Sequence, residues 1–348
     1  MSCSKIFLGD LPEIVYGIIK NFQNDYTTLH SCVLVNRLWC RLAIPLLWEN
    51  PFSTPTGNYN FIEVYLYNLN DCLKTKINDY QIIDHLLPSN TLFNYPSFIR
   101  YLDIFKITHY IEMWLETNDK TSNLVFQSVY EFKELISMSL IKLFIDNEIN
   151  LHTLKITIST NFIVYINNIL EIILKNPNLI NNIKNLEFSI LTSNTLIEYR
   201  ISQIINSHQN LKRILLGNGN NELILQNLGQ ILPSRLEYLS LVLHIKTSDF
   251  EVFLKNSQNT LVEKLVINNM VEGLIINILP YIKEHIMKKK RVKYLAIKTT
   301  LSIIDFNRND EDLFDSKEQV KEFKLHNIKV LKYANLSTGI YRFVNEID

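Results

Sequence analysis

The sequence predicts an α/β solenoid: short parallel strands alternating with helices, preceded by a small all-α block. Three observations predict it. From residue 151 onward the pattern apolar-x-x-apolar-x-apolar returns seven times, its first anchors 25 to 32 residues apart. Between the returns lie segments with apolar residues at i, i+3 and i+4, the spacing of one helix face. Before residue 50 there is instead a run of helix-start and turn signals with no strand-like alternation. The expected organisation is an N-terminal block at 5–50, a connecting segment at 51–96 and the repeat array at 97–340.

In the first block, Asp10 is expected to cap a helix whose first turn holds Pro12 and Glu13, where a missing N–H and a negative charge are both favourable. Ile14, Ile18, Ile19 and Phe22 follow at three- and four-residue spacing, one apolar face. Asn24, Asp25 and Tyr26 suit a turn, and Thr27 or Thr28 suits the cap of a second helix carrying Leu29, Cys32, Val33, Val35 and Asn36. A third is expected from near Trp39 to Trp48, broken by Pro45. Three helices in roughly forty residues bury too little to be self-sufficient, so such a unit wants a partner laid against it.

The ordered set Leu11-Pro12-Glu13-Ile14, Leu29, Cys32-x-x-Val35-Asn36-Arg37-x-Trp39 and Pro45-x-x-Trp48 resembles the F-box. The resemblance covers about a seventh of the chain. It implies docking onto a Skp-family adaptor and, through it, onto a cullin-based ubiquitin ligase. Carried over position by position, Leu11 and Pro12 match the opening contact. Ile14, Leu29, Cys32, Val35 and Trp39 match the apolar docking and core positions.

Residues 51–60, rich in Pro, Gly, Ser, Thr and Asn, mark the end of the block. In 61–96, IEVYLYNL suggests a helix and SNTLFNYP a loop. The repeat triplets are Leu151-Leu154-Ile156, Ile183-Leu186-Phe188, Leu211-Ile214-Leu216, Leu236-Leu239-Leu241, Val262-Leu265-Ile267, Val292-Leu295-Ile297 and Val320-Phe323-Leu325. An earlier copy, Ile99-Leu102-Ile104, lies 52 residues before Leu151, a gap that suits two repeats, or one repeat with a long helical insertion at 122–145. A strand-plus-helix unit leaves one face bare, which only a neighbouring unit covers, so stacking and a right-handed parallel array are expected. A purely helical array of armadillo type is disfavoured by the period-two alternation.

These triplets resemble the longer, helix-bearing leucine-rich repeat, with one departure. The ninth position, where that family places Asn or Cys, holds Ser159, Leu191, Gly219, His244, Met270, Thr300 and Ile328. The turn-pairing Asn is therefore missing, or displaced to Asn194, Asn218 and Asn269. An F-box followed by such repeats resembles the expanded F-box families of fungi. It implies a non-catalytic substrate receptor whose repeats hold a target protein. The alternative is a scaffold whose F-box-like block merely caps the repeats.

Composition agrees with an interaction role. The 348 residues are 47% hydrophobic and 20% charged, enough apolar material to fold. Lys plus Arg and Asp plus Glu both number 35, so no net field attracts nucleic acid or an anionic membrane. No apolar run is long enough to span a bilayer and no signal peptide is evident, which leads to cytosol or nucleus as the expected compartment. The four cysteines form no C-x-x-C pair, the eight histidines are scattered, and no phosphate-loop, zincin or nucleophile-elbow motif occurs. No enzyme activity, metal or cofactor is expected. The basic run Lys288-Lys289-Lys290-Arg291 reads as cations at a helix C-terminus, with a nuclear signal or a contact to an acidic partner as the alternatives, and Asn309-Asp310-Glu311-Asp312 as a solvated loop.

Within each strand the residues flanking the second and third anchors point away from the apolar layer. They line the face expected to receive a target. Of these, Lys155, Arg213, Tyr238, Lys264 and Tyr294 are the candidate target contacts, Arg and Tyr being enriched where interfaces concentrate energy.

Overall fold

The computed structural model describes residues 11–53, 59–80, 91–117, 126–160, 163–192, 194–219, 222–270, 278–300 and 311–337. The chain divides into two compact units, Met1–Leu151 and His152–Asp348.

The first unit opens with α1 (Pro12–Lys20), α2 (Tyr26–Val33) and α3 (Arg37–Leu47). Pro12 stands at the start of α1, while Asp10, the expected cap, lies outside the described residues. The cap of α2 is Asp25 rather than a threonine. Its carboxylate accepts from the Thr28 amide at 3.0 Å and the Thr28 hydroxyl at 2.6 Å, which holds its pKa below the usual carboxylate range. Helix α2 also stops earlier than expected, because Asn36 is the cap of α3 and accepts from the Trp39 amide at 2.9 Å. Pro45 does not break α3: it lies in the last turn and the helix continues to Leu47. Val15, Ile19, Leu29, Cys32, Trp39, Ala43 and Leu46 form the shared core of the three helices.

Next come α4 (Phe61–Tyr67), α5 (Asp71–Asn78), the short strand β1 (Tyr101–Asp103), α6 (Ile104–Thr117) and α7 (Phe126–Asp146), the last matching the expected insertion. Phe52, fully buried, gathers Phe61, Tyr65, Tyr110 and Phe144 around it at centroid distances of 5.4 to 6.4 Å. Trp48 meets Tyr65 edge-on at 5.5 Å. Aromatic packing of this kind is worth about 0.5–1.5 kcal/mol per pair beyond area burial.

The second unit is an α/β structure built on a parallel sheet. Strands β2 (Thr153–Ile158), β3 (Asn185–Ile190), β4 (Arg213–Gly219), β5 (Arg235–Leu243), β6 (Leu261–Asn269) and β7 (Val292–Thr299) lie side by side in chain order. Their register is set by the triplets: Leu154 stands beside Leu186, Leu186 beside Ile214, then Leu239, Leu265 and Leu295. All six are buried. Helices α8 (Ile163–Lys175), α9 (Thr195–Ser207), α10 (Glu222–Ile231), α11 (Thr247–Asn256) and α12 (Leu279–Ile282) connect them, and each packs on the next. Strands added in one direction, with each connecting helix packed on the next, put these helices together along one side of the sheet.

Side chains tie successive units together. Asn269, buried, accepts from the Ile245 amide at 3.1 Å one unit earlier, so it does pair a turn amide. Asn194 instead caps α9, accepting from the Ile197 amide at 3.1 Å. Arg291 is buried and turns back to the preceding unit. Its Nε donates to the Thr260 carbonyl at 3.1 Å, and its Nη2 donates to the carbonyls of Ser257 and Thr260. The cation thus sits on the C-terminal end of α11, a neighbouring helix rather than its own.

The seventh triplet departs from expectation. Val320, Phe323 and Leu325 belong to α13 (Lys317–Leu325), not to a strand, and Leu325 is 83% exposed. Apolar residues three apart fit a helix as well as they fit the repeat template, and the intervening Lys and Glu residues are good helix formers. Glu311 and Asp312, expected in a loop, form β8, antiparallel to β7, and β9 (Lys329–Val330) runs parallel to β7. The short helix α14 (Tyr333–Leu336) follows. Among the described residues, no helix is long and apolar enough to cross a membrane.

Candidate functional site

Two surfaces carry the predicted site residues, one in each unit. On α1 the inward positions are Val15 and Ile19, both fully buried. The neighbouring i, i+4 pair faces solvent, with Ile14 44% and Ile18 38% exposed, and Tyr16 is exposed beside them. Pro12 is exposed and Leu11 half-buried at the start of the same helix. In the turn between α2 and α3, Leu34 is 74% and Val35 50% exposed.

Of the seven predicted adaptor contacts, then, Leu11, Pro12, Ile14 and Val35 are accessible, whereas Leu29, Cys32 and Trp39 are core. Burial raises the Cys32 thiol above its ordinary pKa, with Asp25 adding to the effect, so it is a small packed hydrophobe and not a nucleophile. Ile18 and Leu34 are exposed as well and lie outside the positions the resemblance implies. The three- and four-residue spacing places Ile14 and Ile18 on one apolar face with Ile19, whereas in the structure they stand beside the buried pair.

In the second unit, the candidate target contacts fall on the sheet face away from the helices. Four of the five form one register row: Asn185, Arg213, Tyr238, Lys264 and Tyr294 are successive neighbours. Lys155 stands two residues along β2, ion-paired with Glu187 of β3 at 3.0 Å. Lys155, Lys264 and Tyr294 are half-buried.

Tyr238 is not available to a target. It is 1% exposed, and its hydroxyl donates to the Leu336 carbonyl at 3.1 Å. Tyr238, Val266, Ala296 and Leu336 form a cluster, with Leu215, Tyr294, Leu331 and Tyr333 packed against it. The segment from Leu331 to Leu336 thus lies across the β5–β7 part of the face. It is held by the Leu331 amide on the Leu295 carbonyl at 2.9 Å and by the Tyr333 amide on Asp312 Oδ2 at 2.9 Å. Burial against the sheet face raises the pKa of Tyr333. Arg213 is also buried at 7% exposure, with Nη2 3.5 Å from Glu237. Glu322, Lys324 and His326, expected on this face, belong instead to α13 and the residue after it.

On the β2–β4 part of this face, Lys155, Thr157, Glu187, Ser189 and Gly217 are half-buried. Among the described residues no group of three His, Cys, Asp or Glu is arranged to hold a metal ion. Compared with known protein families, curated proteins and solved structures, the chain matches none.

Proposed function

We propose that the chain is a non-catalytic, F-box-type substrate receptor of a cullin ubiquitin ligase. Helices α1–α3 dock a Skp-family adaptor, and the parallel sheet with its helices forms a leucine-rich-repeat-like solenoid that holds a target protein. The observation that carries the reading is the exposed apolar set Ile14, Ile18, Leu34 and Val35 in a block whose sequence resembles the F-box. Apolar side chains left in water beside an already complete core are what a docking helix requires. An end cap with no adaptor would need those side chains covered.

Ile14, Ile18, Leu34 and Val35 are 44, 38, 74 and 50% exposed, so docking has roughly that share of the about 1.5–3 kcal/mol of a full aliphatic burial still to gain at each. Losing Ile14 and Ile18 together forfeits about 1.2–2.5 kcal/mol, of the order of the about 1.4 kcal/mol that corresponds to tenfold in affinity, and the introduced carboxylates add a desolvation cost. The test is co-expression of the full chain with a Skp-family adaptor and co-purification. Binding is expected for the parent, and an at least tenfold loss for Ile14→Asp with Ile18→Asp, the melting temperature staying within a few degrees. No co-purification by the parent, or equal co-purification by the variant, overturns the docking role.

A further inference from the structure

A groove of about 620 Å³ crosses the N-terminal edges of β4 to β7. Its charged lining is Lys212, Arg235, Lys290, Arg291 and Lys293 against Glu237 and Glu263, a net +3 on a chain whose formal net charge is 0. Two of the cations are matched: Lys212 reaches Glu237 at 2.6 Å and Lys293 reaches Glu263 at 3.4 Å. Arg291 is committed to backbone carbonyls. Arg235 and Lys290 are exposed and have no acidic partner among the described residues. Between them lies Leu261, 52% exposed and in register with Arg235.

We propose that this groove binds an acidic peptide segment of a partner protein, seating one apolar side chain on Leu261 and carboxylates on Arg235 and Lys290. Charge complementarity argues for an anionic occupant. The composition of the lining argues for a peptide rather than a nucleic acid. Glu237 and Glu263 stand as register neighbours, since Leu236 pairs with Val262 and Tyr238 with Lys264. Two adjacent carboxylates disfavour an evenly spaced phosphate backbone more than a peptide, whose acids can be placed on Arg235 and Lys290 and away from Glu237 and Glu263. The only ring in the lining is the His326 imidazole, and no Phe, Tyr or Trp there offers successive bases a stacking platform. A peptide alternates charge with apolar side chains and satisfies both kinds of contact. This inference needs neither the adaptor nor the ligase.

The test is fluorescence anisotropy of the full chain with a short labelled peptide of Glu, Asp and Leu. The same peptide with Gln and Asn in place of the acids, and an oligothymidylate of equal length, serve as controls. The acidic peptide is expected to bind, the amide peptide about tenfold or more weakly, and affinity to fall as salt is raised, as rim charges dictate. Arg235→Gln with Lys290→Gly is expected to weaken binding about tenfold. Glycine suits position 290, whose φ is 51°, so this variant removes the charge without strain. Leu261→Ser is expected to weaken binding severalfold with its salt dependence unchanged. The Ile14→Asp, Ile18→Asp chain should bind the peptide as the parent does, which separates this site from the docking helices. Equal binding of the amide peptide, an unaffected double variant, or stronger binding of the oligothymidylate would each overturn the proposal.

Discussion

Replacing Arg291 by methionine tests how successive strand–helix segments are joined. The guanidinium is buried and faces carbonyls rather than a carboxylate: Nε and Nη2 donate to Thr260 at 3.1 and 3.0 Å, and Nη2 also to the Ser257 carbonyl and, at 3.2 Å, its hydroxyl. The Ser257 carbonyl keeps a second donor, the Thr260 amide at 3.0 Å, so it is not stranded when the arginine goes. The Thr260 carbonyl loses both guanidinium donors. Losing a charge-assisted hydrogen bond costs roughly 1.5–3 kcal/mol and a desolvated carbonyl roughly 1–3 kcal/mol. Relief of the burial that lowers the arginine pKa offsets part of this. A net loss of about 2–4 kcal/mol is expected for Arg291→Met. Arg291→Lys keeps the charge but lacks the planar fork, and about 1.5–3 kcal/mol is expected to be lost. Urea unfolding of the full chain measures both, with hydrogen exchange at residues 254–262 localising the effect. If both variants lie within about 0.5 kcal/mol of the parent, the arginine is not the joint inferred here.

Gly229 lies in α10, where an added Cβ would stand 2.6 Å from the Phe253 carbonyl oxygen and 2.8 Å from Asn256 Cβ of α11. Gly229→Ala would gain about 1 kcal/mol of helix propensity. Overpacking, at roughly 1–3 kcal/mol, is expected to win, and a lowered melting temperature checks it. His208 predicts a pH dependence. It is buried and its pKa is depressed by desolvation. Its Nδ1–H donates to the Ile204 carbonyl at 2.5 Å, and its buried Nε2 has no partner among the described residues to accept a second proton's bond. Above the unfolded value of about 6.5 both states are neutral and the group contributes nothing to the pH slope. Below it the unfolded chain takes up a proton that the folded chain refuses, so stability falls as pH drops from about 7 toward 5. His208→Gln should flatten that part of the curve in thermal melts, and an unchanged slope would assign it to other groups.

Much of the second unit was legible because its pattern is local. Leu154, Leu186, Ile214, Leu239, Leu265 and Leu295 each sit mid-triplet, and a strand with every second residue apolar has only one way to turn its side chains. The seventh triplet misled because its first two apolar residues also fit a helix turn, and nothing nearby marks it as strand. In the first unit the three helices were readable from Pro12, the turn at Asn24–Tyr26 and the apolar spacing, but neither the caps Asp25 and Asn36 nor the facing of α1 was. Ile14/Ile18 and Val15/Ile19 are adjacent i, i+4 pairs of equal hydrophobicity, and only packing against α3 selects the second pair as core.

The sequence by itself determined the alternation of strands and helices and the apolar layer between them, since these follow from the spacing of side chains a few residues apart. Tertiary structure alone decided which surfaces remain accessible. Tyr238 stands in the same strand pattern as its exposed-looking counterparts, yet it is covered by Leu336, 98 residues away. Arg291 belongs to a basic run that reads as cations at the end of its own helix, yet it is buried on carbonyls 31 and 34 residues earlier. Burial depends on which distant segment covers a residue, and periodicity over a few residues carries no record of that.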